Sequence, residues 1–146
     1  MENKVKEILM EAGWFINREI DVTELVTFLV DYGYKVFDNV KSFLREFGLL
    51  NINYVNSLSG NYANIYVDTR NIIADQSVID SYGRYYGTIM VPVAVKSHLQ
   101  ICISEEGKFY GGFDQILLKL GDSFEEVLYN LITDAKLEKV YVDLNP

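Results

Sequence analysis

The sequence places a histidine and a cysteine four positions apart. His98 and Cys102 lie in an alternating apolar run, which would direct both side chains to one face of a strand. An imidazole beside a thiol can activate that thiol as a nucleophile. No third group that could activate such a pair is signalled nearby. The pattern therefore favours a buried thiol and a half-buried imidazole over a catalytic pair.

The same two residues restrict other chemistry, because the chain has one histidine and one cysteine in total. A cysteine-based zinc site and an internal disulfide both need at least two cysteines. We expect no metal site and no cofactor, and we name no catalytic residue. A small enzyme is a third hypothesis. It would need a pocket of perturbed carboxylates around His98, and a His98→Ala variant without functional loss would count against it.

Adjacent carboxylates occur twice, as Glu105-Glu106 and Glu125-Glu126. Two carboxylates can share acid and base roles only in a pocket that separates their pKa values. The first pair precedes Gly107 in a predicted turn. The second pair follows Ser123 in the pattern of a helix capping box, where negative charge stabilises the first helical turn. Both positions favour a structural or surface role.

Tyrosine and asparagine interleave in the middle of the chain. The tyrosines of this region are Tyr54, Tyr62, Tyr66, Tyr82, Tyr85 and Tyr86, and its asparagines include residues 51, 53, 56, 61, 64 and 71. Tyrosine supplies a large contact area at low entropic cost, and asparagine adds adaptable hydrogen bonding. The pattern fits a recognition surface and, equally well, a sheet whose tyrosines are half buried.

The charge balance restricts the partners of the protein. The chain carries 13 lysines and arginines against 21 aspartates and glutamates, a net charge of −8. Phosphate groups repel such a surface, so we expect no direct contact with nucleic acid. The acidic excess suits a basic protein partner, or simply solubility. A length of 146 residues with 49% apolar residues predicts one globular domain over residues 1–146.

The apolar runs are too short for the roughly 20 residues of a membrane span, so we expect no membrane contact. The N-terminal Met1-Glu2-Asn3-Lys4 is charged and has no apolar segment behind it of the kind found in signal peptides. We therefore expect a cytoplasmic protein, in which Cys102 is a reduced thiol.

The first third of the chain has the periodicity of helices. Apolar residues recur at i, i+3, i+4 and i+7 in three segments, and a glycine follows each segment, at positions 13, 33 and 48. We predict an N-cap at Asp21 for the second helix and at Asp38 or Asn39 for the third.

After residue 48 the apolar period becomes two, which predicts strands. The predicted elements are a hairpin of residues 50–54 and 62–67, a helix after Asp75, strands at 88–96, 98–104, 109–110 and 139–144, and a closing helix after Ser123. Pro92 indicates an edge or a bulge, and Gly111-Gly112 indicates a strand end. This order predicts an α+β fold, with a mostly antiparallel sheet flanked by N-terminal helices and a closing C-terminal helix.

Six segments, in this order along the chain, resemble the third subgroup of the SUKH superfamily. They are AGWFINR (12–18), YGY (32–34), FLREFGL (43–49), VPVA (91–94), LQICISEEGKFY (99–110) and LGDSFEEVL (120–128). The family tends to have Pro-Gly where this chain has Ile16-Asn17. The resemblance carries over Trp14, Arg18 and Gly107 as determinants of the fold only.

The resemblance implies an immunity protein, which is not an enzyme and which binds and blocks a bacterial toxin, in many cases a nuclease. A basic nuclease would complement the acidic chain. Because the contact surface varies within the family, our candidate contacts come from residue type: Tyr54, Tyr62, Tyr66, Tyr82, Tyr85, Tyr86, Glu105, Glu106 and Asp114. The alternative is a non-enzymatic regulatory module that binds several partners weakly.

Overall fold

The computed structural model describes residues 1–145, which form five helices and seven strands. The helices are α1 (Asn3–Glu11), α2 (Thr23–Asp31), α3 (Asp38–Phe47), α4 (Gln76–Tyr86) and α5 (Phe124–Ile132). The strands are β1 (Asn51–Val55), β2 (Tyr62–Tyr66), β3 (Met90–Lys96), β4 (Leu99–Ser104), β5 (Phe109–Phe113), β6 (Ile116–Gly121) and β7 (Lys139–Tyr141). All strands pair antiparallel in chain order. The predicted α+β fold is confirmed.

The helices α1 and α2 end at the glycines that the sequence predicts. Gly13 follows α1 with a φ of +108°, and the N–H group of Trp14 donates to the carbonyl of Leu9 at 2.9 Å. Gly33 repeats this geometry after α2, with a φ of +89°. The left-handed residue turns the chain back, so that the following N–H groups satisfy carbonyls that the helix end leaves free.

The starts of α2 and α3 differ from the predicted caps. α2 begins at Thr23, and the carboxylate of Asp21 accepts hydrogen bonds from the N–H and hydroxyl groups of Thr23. The N-cap of α3 is Phe37. Asn39 instead donates its side-chain amide to the carbonyl of Glu105 at 2.8 Å, so it ties α3 to the turn between β4 and β5. The sequence pattern predicts that Asn39 caps its own helix, but its side chain bonds instead to an acceptor that is distant in the sequence.

The end of α3 is held by Arg18. Its guanidinium donates to the carbonyl of Glu46 at 2.5 Å and to that of Gly48 at 2.9 Å, and the indole of Trp14 donates to the Glu46 carboxylate at 2.9 Å. Both residues therefore anchor the fold, as expected. The positive φ at this end belongs to Leu49, at +66°, rather than to Gly48. Gly48 is required for another reason, because a Cβ there would overlap the backbone of α3.

The strand register divides the centre of the sheet into two faces. The first face carries Ile101, Ile103, Phe109 and Gly111, and the second carries Gln100, Cys102, Tyr110 and Gly112. On the first face, the ring of Phe109 lies 5.3 Å from that of Phe43 in α3 and 5.8 Å from that of Phe124 in α5. The helix α4, which connects β2 to β3, covers the second face.

Two glycines and a whole strand in this region differ from the sequence prediction. Gly111 and Gly112 lie inside β5, where they are buried, and do not end a strand. The strand β6 that follows them has no counterpart in the prediction. A Cβ on Gly112 would occupy the position of the Tyr82 ring. The two missing side chains weaken the strand pattern of β5 in the sequence. The one at Gly112 allows α4 to approach the sheet closely, whereas Gly111 faces Leu99 and Leu120 on the other side of the sheet.

Pro92 marks a bulge, one of the two predicted possibilities. β3 pairs with both β2 and β4, so it is an interior strand, and its register with β4 shifts between Pro92 and Ala94. At a bulge the regular interstrand hydrogen bonding is interrupted, so a proline, which has no N–H group to donate, is tolerated there. The last strand, β7, covers residues 139–141 rather than the predicted 139–144.

Replacing Gly112 with alanine should destabilise the protein, because the added Cβ would overlap the Tyr82 ring. We expect the free energy of unfolding, measured by urea denaturation, to fall by about 2 kcal/mol. In a Tyr82→Leu background the smaller side chain leaves room for the Cβ, so the same substitution should cost clearly less. An equal cost in the two backgrounds would contradict this account of how α4 contacts the sheet.

Candidate functional site

The nine predicted contact residues fall into three groups. Tyr54, Tyr62 and Tyr66 belong to the β1–β2 hairpin, Tyr82 and Asp114 meet where α4 reaches the β5–β6 turn, and Tyr85, Tyr86, Glu105 and Glu106 surround the C-terminal end of α4. Only the third group combines an exposed tyrosine with exposed glutamates.

The hairpin has one uncovered face made of tyrosine and asparagine. The register places Tyr62 and Tyr66 on this face, together with asparagines of both strands. Tyr62 is 90% exposed, whereas Tyr66 is half-buried. Asn64 donates its side-chain amide to the side-chain oxygens of Asn51 and Asn53, so the asparagines form a connected row. The predicted recognition pattern is therefore present here with two of its tyrosines.

Two of the predicted contact tyrosines are buried. Tyr54 is 4% exposed and Tyr82 is 0% exposed. The hydroxyl of Tyr82 donates to the carbonyl of Asp114 at 2.5 Å, whereas that of Tyr54 has no hydrogen-bond partner among residues 1–145. Burial raises the pKa of each phenol to about 12, because the phenolate would lose its hydration. These two side chains support the core and offer no exposed contact area.

The C-terminal end of α4 presents a cluster of tyrosine rings, in which Tyr85 and Tyr86 meet edge to face. The ring centroids of Tyr85 and Tyr86 lie 5.0 Å apart, and those of Tyr86 and Tyr110 lie 4.8 Å apart. The Tyr86 hydroxyl donates to the carboxylate of Glu138 at 3.1 Å. Burial, and then this carboxylate, raise the pKa of Tyr86. Tyr85 is the outermost ring of this cluster and is 50% exposed, so the cluster reaches the surface.

Carboxylates and an apolar residue adjoin these rings. The hydroxyl of Thr88 donates to the carboxylate of Glu106 at 2.9 Å, and the N–H group of Glu105 donates to the carbonyl of Ile89 at 2.9 Å. These bonds place the β4–β5 turn beside the end of α4, and Ile89 itself is 45% exposed. We call the surface formed by Tyr85, Tyr86, Ile89, Glu105 and Glu106 the α4-end patch. Exposed rings and an aliphatic side chain beside carboxylates suit contact with a basic protein surface.

A cleft with a volume of about 320 Å³ opens at the other end of α4. Its lining consists of Ile73, Ala74, Asp75, Val78, Tyr82, His98, Gln100, Gly112, Phe113, Asp114 and Leu144. Asp75, Tyr82, His98, Gly112 and Asp114 each stand out in the sequence, but only singly. No sequence signal joins them into a cleft, because the lining comes from four separate stretches of the chain, residues 73–82, 98–100, 112–114 and 144.

His98 and Cys102 do not form a pair. His98 lies in the turn before β4 and is exposed, with its ring centroid 6.1 Å from that of Phe113. The predicted half-buried imidazole is wrong, because His98 lies one residue outside β4, where the turn leaves its side chain exposed. Cys102 is buried, as expected, and burial raises the pKa of its thiol. A thiol that stays protonated is a poor nucleophile.

The comparisons with known proteins identify one family. The family model described as SUKH-3 immunity protein matches residues 1–134, which is most of the chain. Neither a curated protein nor a solved structure gives a match. In the part of the chain that the structure describes, no helix has the length and apolar character to cross a membrane.

The buried tyrosines should make stability fall at alkaline pH. The pKa of Tyr54 and of Tyr82 is about 12 in the folded protein, above the ordinary 10.0 of the phenol. The folded state therefore holds these protons more tightly. Their contribution is complete below pH 10 and is lost as the pH rises towards 12. Urea denaturation over a pH series would measure this decline.

Tyr54→Phe provides the matched test, because it removes a buried hydroxyl that has no partner. We expect the variant to keep its free energy of unfolding at pH 7, or to gain up to about 1 kcal/mol. Above pH 10 its stability should decline less steeply than that of the wild type. An alkaline decline of the same slope in both proteins would contradict the assignment to Tyr54.

Proposed function

This chain belongs to the SUKH-3 immunity protein family, and from that premise we propose that it neutralises one cognate bacterial toxin by binding it tightly and occluding its active site. The observation that carries the proposal is the family match over residues 1–134. Occlusion requires an extended complementary surface and no reaction, which agrees with the non-enzymatic role that an immunity family suggests.

We propose further that the toxin is a nuclease and that the two proteins meet in the cytoplasm. A nuclease grips the phosphates of its substrate with basic residues. The net charge of this chain is −8, so its carboxylates can take the place of those phosphates. Opposite charge also speeds the encounter, which matters when the toxin damages nucleic acid before it is captured.

The α4-end patch is the surface that we propose for this contact. Interfaces combine a desolvated centre rich in tyrosine with a polar rim. Tyr85 and Ile89 are exposed enough to form such a centre. The turn that carries the exposed Glu105 and Glu106 is hydrogen-bonded to Thr88 and Ile89, so it can supply the polar rim. Tyr62 and Tyr66 remain predicted contacts on the hairpin face.

Co-expression with the toxin domain encoded beside it would test the proposal. We expect the protein to restore growth and to be recovered with that domain in a complex that survives high salt. Failure to restore growth would refute the proposed function. Recovery of several partners that dissociate in salt would favour the alternative, a regulatory binding module.

Charge reversal in the α4-end patch should slow association with the toxin. In a Glu105→Lys/Glu106→Lys variant, we expect the association rate constant at low salt to fall by about tenfold. The dependence of that constant on salt should also become flatter, because steering charges have been removed. Stopped-flow mixing at several salt concentrations would measure both effects.

The matched control is Glu7→Lys/Glu11→Lys on α1, which changes the net charge by the same amount at exposed positions of a different helix. Its association rate constant should fall much less. If both double variants slow association equally, the effect belongs to the overall charge, and the α4-end patch is not the contact surface.

A further inference from the structure

We propose that the cleft at the N-terminal end of α4 receives an arginine side chain of the partner toxin. The inference rests on the proposed function for the identity of the partner, whereas the chemistry of the cleft follows from its own residues. They offer two carboxylates, an aromatic wall and a volume of about 320 Å³. Ligand sites typically enclose roughly 300–1,000 Å³.

The charge of the cleft favours a cation. Asp75 enters the lining from the N-cap of α4, and Asp114 enters it from the β5–β6 turn. The described residues of the lining include no lysine or arginine. The Asp75 carboxylate makes no hydrogen bond to the helix that follows it, and the ion pairs within residues 1–145 all involve Arg70. Both carboxylates are therefore left without a cationic partner from this part of the chain.

The cation that fits is organic rather than metallic. Within residues 1–145, no three histidine, cysteine, aspartate or glutamate side chains are grouped so that they could hold a metal ion. Phe113, which is 44% exposed, and the ring of His98 line the same cleft as the two aspartates, and the two ring centroids lie 6.1 Å apart. A guanidinium group stacks on such rings while its N–H groups donate to carboxylates, which a compact ammonium group does less well. The lining therefore favours arginine over lysine.

The walls of the cleft are held in place without any ligand. The buried Tyr82 fixes the carbonyl of Asp114 through its hydroxyl. The buried Gln100 accepts hydrogen bonds from the N–H groups of Ile73 and Ala74, at 2.8 and 3.3 Å, so it fixes the segment that leads to Asp75. A site that is formed in advance loses little ordering entropy when a side chain enters it.

The position of the cleft agrees with a partner that also covers the α4-end patch. The two sites lie at opposite ends of α4, which has 11 residues and is therefore about 16 Å long at ~1.5 Å per residue. An interface of ordinary size buries about 800 Å² on each partner and extends further than this length. One toxin can reach both sites, with an arginine in the cleft and a basic surface against the patch.

Titration with N-acetylarginine amide, followed by nuclear magnetic resonance, tests the cleft directly. We expect saturable shifts at the backbone amides of Gly112–Asp114 and at the His98 ring. The matched probe is N-acetylcitrulline amide, which has the same shape without the charge and should give no saturable shift. If arginine amide gives no saturable shift, or if both probes bind equally, the proposal is overturned.

The variant for this titration is Asp75→Asn/Asp114→Asn. Asparagine can occupy an N-cap, and it tolerates the positive φ of Asp114, +51°, so the fold should be kept. We expect arginine amide to bind at least about tenfold more weakly to this variant. The control is Asp134→Asn, an exposed aspartate with a φ of +54° that does not line the cleft. Equal loss in the two variants would overturn the proposal.

Affinity measurements with the toxin test whether the arginine that enters the cleft belongs to it. Asp75→Asn/Asp114→Asn should weaken the complex with the toxin by about tenfold or more, whereas Asp134→Asn should change its affinity little. Equal affinities would overturn the assignment to the toxin. This result is separable from the proposed function. A wild-type protein that fails to neutralise the toxin refutes the function, while the titration with arginine amide still measures the cleft.

Discussion

The ring of Tyr82 lies directly over the backbone of Gly112, and both candidate surfaces depend on this contact. Because Gly112 has no side chain, α4 packs closely against the second face of the sheet. Any side chain at this position would force the helix away. The Tyr82 hydroxyl then fixes the turn that carries Asp114. With the helix in this position, one end borders the cleft and the other carries the rings of the α4-end patch. A small shift of α4 would change both surfaces together.

The two faces of the sheet differ in what covers them. On the first face, aromatic rings of α3, α5 and β5 pack together and form a core. The N-terminal helices are tied to one another by Arg18, which binds carbonyls at the end of α3. On the second face, a single helix covers part of the sheet and leaves its ends accessible. The candidate cleft and patch both lie along that helix, and the buried Tyr82 belongs to the core as well as to the lining of the cleft.

Helix positions could be predicted from the sequence because their signals are local. The end of α1 at Gly13 depends on residues within one helical turn of that glycine. The start of α5 is equally local, because the Glu126 N–H group donates to the side chain of Ser123, three residues earlier. The errors arose where a distant partner competed. Asn39 donates to Glu105, 66 positions away, and so does not cap its own helix. The strand β6 was missed because it opens on three consecutive apolar residues, Ile116-Leu117-Leu118, and so lacks the alternation on which strand prediction depends.

The sequence by itself determined the chemical inventory: the acidic charge, the single cysteine and histidine, and the segments typical of an immunity family. These properties depend on residue type and on short spacings. Only the tertiary structure decided which tyrosines are buried and which are exposed, and it alone brought Asp75, His98 and Asp114 to one cleft. The physical reason is that burial and proximity depend on pairings between strands and helices far apart in the chain. Tyr82 and Asp114, for example, stand 32 positions apart and meet through one hydrogen bond.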